Sequence, residues 1–117
     1  MLVTLILCMA LDYLTGILAA AVFKKSKKTQ SGGLESRCGW KGLCRKGISL
    51  FVVLIAYRLD LFAETDFICN TVMIAYLINE LISIVENAGL MGVPIPHVIV
   101  QMIDVLKNKS EAENNLN

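Results

Sequence analysis

Apolar residues along this chain fall into three long runs and one amphipathic segment, separated by short polar stretches. Between Leu2 and Phe23 the polar interruptions are Thr4, Asp12 and Thr15. At about 1.5 Å per residue, a helix of that length covers roughly 33 Å, enough to cross the hydrocarbon core of a bilayer. A second run starts near Gly47, continues ISLFVVLIAY to Tyr57, and meets Arg58 and Asp60 before Leu61 and Phe62. Counted through to Phe62 it predicts a span over 46–62, with a re-entrant or interfacial segment as the alternative. A third run predicts a span over 67–86. The residues from Gly89 to Pro96 then forbid immediate continuation, because Gly89 suits a left-handed helix end and Gly92, Pro94 and Pro96 interrupt the backbone. Beyond them, His97, Gln101, Asp104 and Asn108 recur at helical spacing opposite Val98, Ile99, Met102, Ile103, Val105 and Leu106. A narrow polar stripe and a wide apolar face over 96–108 predict a helix lying in the membrane interface, with a helix capping the bundle as the alternative. The pattern therefore predicts an all-α membrane protein: spans at 2–23, 46–62 and 67–86 and a C-terminal amphipathic interfacial helix within one membrane domain, 1–108. A polar disordered tail, 109–117, follows.

Composition strengthens this reading. The 117 residues are 56% hydrophobic, above the 45–50% or so of soluble domains, so the excess needs lipid or a large partner to cover it. A cleaved secretory signal is the competing reading of the first run. Signals place positive charge before an apolar core of about 7–15 residues, whereas here the run is longer and Lys24 and Lys25 follow it. A permanent span fits better.

Net charge is only +1, but the charges are segregated. Residues 24–46 hold eight of the eleven Lys and Arg residues and a single acid, Glu35. Ser and Gly make 29–33 a flexible loop, and basic charge in a short loop beside a span marks the cytoplasmic side. A nucleic-acid patch is the alternative, but it lacks interleaved aromatics and is pinned between spans. Trp40 suits the headgroup level. Glu64 and Asp66 form an acidic connector without Lys, which fits the outer face. The expected arrangement is multi-pass, N-terminus outside and C-terminus in the cytoplasm.

Candidate chemistry is electrostatic. Asp12 sits near the middle of the first span, where a carboxylate is costly unless it is paired, hydrated or protonated. With the basic loop inside, Asp12 lies about 15 Å and Arg58 about 12 Å from the outer edge of the core, which makes them a candidate intramembrane pair; Glu80 lies about 20 Å from that edge. Tyr76, Asn79, Glu80, Ser83, Glu86 and Asn87 share one stripe of the third helix. That stripe faces either sister helices or water in a pore, and lipid is excluded for it. Gly16 and Ala20 form a small-xxx-small pair that permits close helix packing. Cys8, Cys38, Cys44 and Cys69 lack the close pairing of metal sites, and His97 is the lone imidazole. With no nucleophile–base pair, phosphate loop or metal cluster legible, no enzyme, no cofactor and no metal is expected.

The pairing of LDYLTG (11–16) with INELISIVENAGLMGVPIP (78–96) resembles a bacteriophage holin family that includes phage lysis holins and clostridial toxin-secretion holins. The resemblance runs from the first span to the helix after the prolines. Family members often carry a segment before the first span, whereas here Met1 opens the span. The resemblance implies a phage or prophage protein of the bacterial cytoplasmic membrane that homo-oligomerises into pores or lesions. A murein hydrolase causing host cell lysis, or a secreted toxin, then crosses. The implied partners are the lipid bilayer, further copies of the chain and that hydrolase or toxin, with no nucleic acid. A small ion channel or transporter and a noncatalytic membrane scaffold remain the alternative functions.

Overall fold

The computed structural model describes residues 1–23 and 35–116, with side chains as far as Ala112. Its described residues form four α-helices: α1 (Leu2–Ala21), α2 (Ser36–Ala63), α3 (Ile68–Leu90) and α4 (His97–Leu116). The predicted loop at 29–33 lies outside the described residues. Helix α3 is central: it packs against α1, α2 and α4, while α1 and α2 touch more sparingly.

A small core sets the register of the first three helices. Leu5 and Met9 of α1, Val53 and Ala56 of α2, and Cys69, Met73 and Leu77 of α3 are buried in one cluster. Further along, Thr15 of α1 meets Asn87 of α3. Early residues of α1 thus pair with early residues of α3, and late with late, so the two helices run in the same direction. Helix α2 runs against both, because Val53 accepts from the Cys69 thiol while Lys46 reaches Glu80. Much of the outer surface is apolar. Val3, Leu7 and Leu14 on α1 and Phe51, Leu54 and Ile55 on α2 are exposed, the kind of surface that lipid rather than water covers.

Two described helices, α1 and α3, are long and apolar enough to cross a membrane, not three. The segment 46–62 does not qualify on composition, because Lys46, Arg58 and Asp60 leave only 47–57 free of charge. Helix α2 also starts ten residues before the predicted span, at Ser36. Gly39, Gly42 and Gly47 disguise a segment whose Leu, Lys and Arg residues are good helix formers.

Two helix ends also correct the sequence reading. Gly89 stays inside α3, and Gly92 takes the left-handed conformation, with φ of 79°. The Val93 N–H donates to the Ala88 carbonyl at 2.9 Å and the Gly92 N–H to the Gly89 carbonyl at 3.1 Å, the paired bonds of a Schellman motif. The turn needs its glycine just past the last helical residues, not within them. At the other terminus, α4 continues through the predicted tail to Leu116. Ser110 is buried there, and Lys107 and Glu111 stand four residues apart, a spacing that supports a helix.

The α2–α3 connector is closed by Asp60. Phe67, at the N-cap of α3, offers no side-chain cap. Asp60 supplies one from the neighbouring helix: Oδ1 accepts from Thr65 Oγ1 (2.6 Å) and the Ile68 N–H (3.0 Å), and Oδ2 from the Cys69 N–H (2.8 Å). Those amides begin α3 and would otherwise be orphaned, so one carboxylate fixes the angle at which α3 leaves the turn.

Candidate functional site: a charged cluster where three helices meet

Lys46 of α2 lies between two acids. Its Nζ donates to Asp12 Oδ2 at 2.8 Å and to Glu80 Oε2 at 2.6 Å. Asp12, on α1, is only 4% exposed and Glu80, on α3, only 6%, so the ammonium joins all three helices in a largely dry setting. Asn87, two helical turns along α3 from Glu80, completes the shell. Its Nδ2 donates to Asp12 Oδ1 at 3.1 Å and to Thr15 Oγ1 at 3.0 Å, and lies 3.3 Å from the Asp12 carbonyl. The Thr15 hydroxyl donates back to the Leu11 carbonyl at 2.8 Å. No buried side-chain nitrogen or oxygen among the described residues lacks a partner. The formal charge of Asp12, Glu80 and Lys46 together is −1. Such a cluster is tolerable away from water only while the shared cation and the amide stay in place.

The pairing expected from sequence was Asp12 with Arg58. The structure instead gives Asp12 to Lys46, and Arg58 is exposed. Treating Lys46 as the membrane edge started α2 too late. With the register set by Val53 and Ala56, Arg58 lies about 18 Å along α2 from Lys46, towards the connector. Lys46 was missed because it ends a basic run that reads as a topology signal. A helical pattern was there to find: Cys38, Lys41, Gly42, Arg45, Lys46 and Ser49 recur at the spacing of one helix face.

That face of α2 and the polar stripe of α3 line opposite walls of a groove of about 670 Å³. Tyr76, Asn79, Glu80, Ser83 and Glu86 belong to its α3 wall, and Asp12 reaches it from α1. Asn87 alone of the predicted stripe turns away from the groove, to Asp12 and Thr15. Asn79 and Glu86 are exposed, Tyr76 and Ser83 half-buried. Of the small pair on α1, Ala20 is buried, and Gly16 stands beside Asn87, where a Cβ would make ordinary contact with Nδ2 at 3.7 Å. Pro94 and Pro96 lie in the connector that follows Gly92.

The arrangement can latch helices together and hold water beside a buried charge. The sequence model of the bacteriophage holin family matches residues 1–108. The chain belongs to the bacteriophage holin family. A probable holin of Bacillus phage phi105 is 31% identical, the match covering 86% of this chain and 70% of that one. An uncharacterised 14.9 kDa protein of Clostridium perfringens is 39% identical over 92% of this chain and 77% of its own length. An uncharacterised protein of Listeria innocua is 36% identical over 97% and 76%. No solved structure matches the chain. Holins are pore-forming membrane proteins, not enzymes, and the apolar helices α1 and α3 suit that setting.

Proposed function

We propose that the chain crosses the cytoplasmic membrane three times and assembles into lesions through which a murein hydrolase or a toxin passes. The observation carrying this reading is the parallel course of α1 and α3. If both span the bilayer, the chain between them must return across it, and α2 is the helix that lies antiparallel beside them. Its charges are then accommodated by Asp12 and Glu80 around Lys46, and by the connector around Asp60. The basic 24–46 segment favours the cytoplasmic side for the ends of α1 and α3, which puts the N-terminus outside and α4 inside. On that side the apolar face of α4, with Val98, Ile99, Met102 and Val105 exposed, would lie on the membrane surface.

Several copies with their grooves facing one another would enclose a polar lumen, lined by Tyr76, Asn79, Ser83 and Glu86. Induced expression in a bacterium should stop growth abruptly after a delay, with loss of membrane potential. A co-expressed murein hydrolase without its own signal should then lyse the cells. Ion leakage that never releases the hydrolase would overturn the lesion reading in favour of a small channel. A reporter that works only in the cytoplasm should be active when fused after Asn117, and activity of an export-dependent reporter there would overturn the topology.

A further inference from the structure

The mouth of the groove carries cations that the charged cluster does not use. Lys46 is committed to Asp12 and Glu80, whereas Lys41 and Arg45 are exposed on the same face of α2 and have no ion-pair partner among the described residues. They stand four residues apart, and helical side chains at that spacing are neighbours. Across from them on α3 is Glu86, so the three exposed charges at the mouth sum to +1, against −1 for the buried cluster in the same groove. Gly42 lies between the two cations, and a Cβ there would meet nothing within 4 Å, so the wall is open at that point. Trp40, 67% exposed, adjoins Lys41, and exposed indoles in membrane proteins settle at the headgroup level.

We propose that this mouth seats the headgroup of an anionic phospholipid, its phosphodiester between Lys41 and Arg45. A phosphodiester carries one negative charge, which balances the excess of exposed cations, Lys41 and Arg45, over Glu86 at the mouth. A headgroup hydroxyl can donate to the Glu86 carboxylate opposite, which favours a glycerol headgroup over one bearing further negative charge. The groove volume of about 670 Å³ lies within the roughly 300–1,000 Å³ of small-ligand clefts. Basic recesses between membrane helices on the cytoplasmic side are suited to phospholipid headgroups. This inference rests on the chain lying in a membrane with its basic end at the headgroups, and not on lesion formation.

The test is lipid retention by the full chain in detergent, read by native mass spectrometry after addition of phosphatidylglycerol or phosphatidylcholine of the same chain length. Phosphatidylglycerol, which carries a net negative charge where phosphatidylcholine carries none, should be retained roughly tenfold better. The K41Q/R45Q double variant should lose that preference. The Gly42→Leu variant keeps both charges but fills the opening, and it should lose the preference too. The K107Q/K109Q variant, which removes two exposed cations of α4, should retain it. Equal retention of both lipids by the unaltered chain would overturn the proposal. So would a preference that survives in G42L, or competition by millimolar inorganic phosphate alone that abolishes lipid retention, since the site would then be one for free anions. None of these readouts depends on lysis, so a failed lysis assay leaves this test intact.

Discussion

Lys46 and Glu80 are 34 residues apart in sequence, yet Nζ and Oε2 meet at 2.6 Å, with Asp12 on the other side of the same ammonium. One side chain thereby ties the middle helix of the hairpin to both neighbours. The first prediction concerns that tie. Lys46→Met leaves two largely buried carboxylates without a cation and should destabilise the bundle by about 3–5 kcal/mol. Adding Asp12→Asn and Glu80→Gln should recover much of the loss, whereas Arg58→Ala should change stability by less than about 0.5 kcal/mol. Thermal unfolding in detergent and membrane accumulation measure this. Additive effects at positions 12, 46 and 80 would exclude the coupling.

Asp60 offers a second test, because it caps α3 from another helix. Asp60→Ala removes the acceptor for two backbone amides and should cost about 2 kcal/mol. Hydrogen exchange at the Ile68 and Cys69 amides should accelerate, with little change near Asn87. Exchange that rises equally along all of α3 would indicate global loosening and not a lost cap.

The glycines after α3 separate by conformation. Gly92→Ala forces a side chain into a left-handed backbone and should cost about 1 kcal/mol. Gly89→Ala lies within the helix, where a Cβ meets nothing within 4 Å, and should be neutral or stabilising by up to about 1 kcal/mol. Comparing the two unfolding temperatures checks the turn. Equal effects would remove the Schellman assignment.

The groove residues Tyr76 and Asn79, which make no hydrogen bond or ion pair with Asp12, Lys46 or Glu80, separate lumen from latch. Asn79→Leu with Tyr76→Phe makes the α3 wall more apolar while sparing Glu80, so membrane insertion and stability should hold. Lysis should be delayed or lost, because the surface proposed to meet water is gone. Unchanged lysis timing in this double variant, at equal accumulation, would take these residues out of the lumen.

Sequence periodicity alone determined that the chain is helical and apolar, where α1 and α3 run, and that Tyr76, Asn79, Glu80, Ser83 and Glu86 share a face. These are local properties, because a helix puts residues three and four apart side by side whatever surrounds it. The cost of Asp12 in an apolar run was likewise legible, since it depends on the carboxylate and its medium. The partner that relieves this cost was not. Choosing Lys46 over Arg58 requires the register between α1 and α2, which is set by Leu5, Met9, Val53 and Ala56 packing against α3. Asp60 as the cap of α3 and Asn87 as the amide of Asp12 are also contacts between helices. A single helix pattern carries no information about the rotation and offset of its neighbour, and only tertiary packing supplies them.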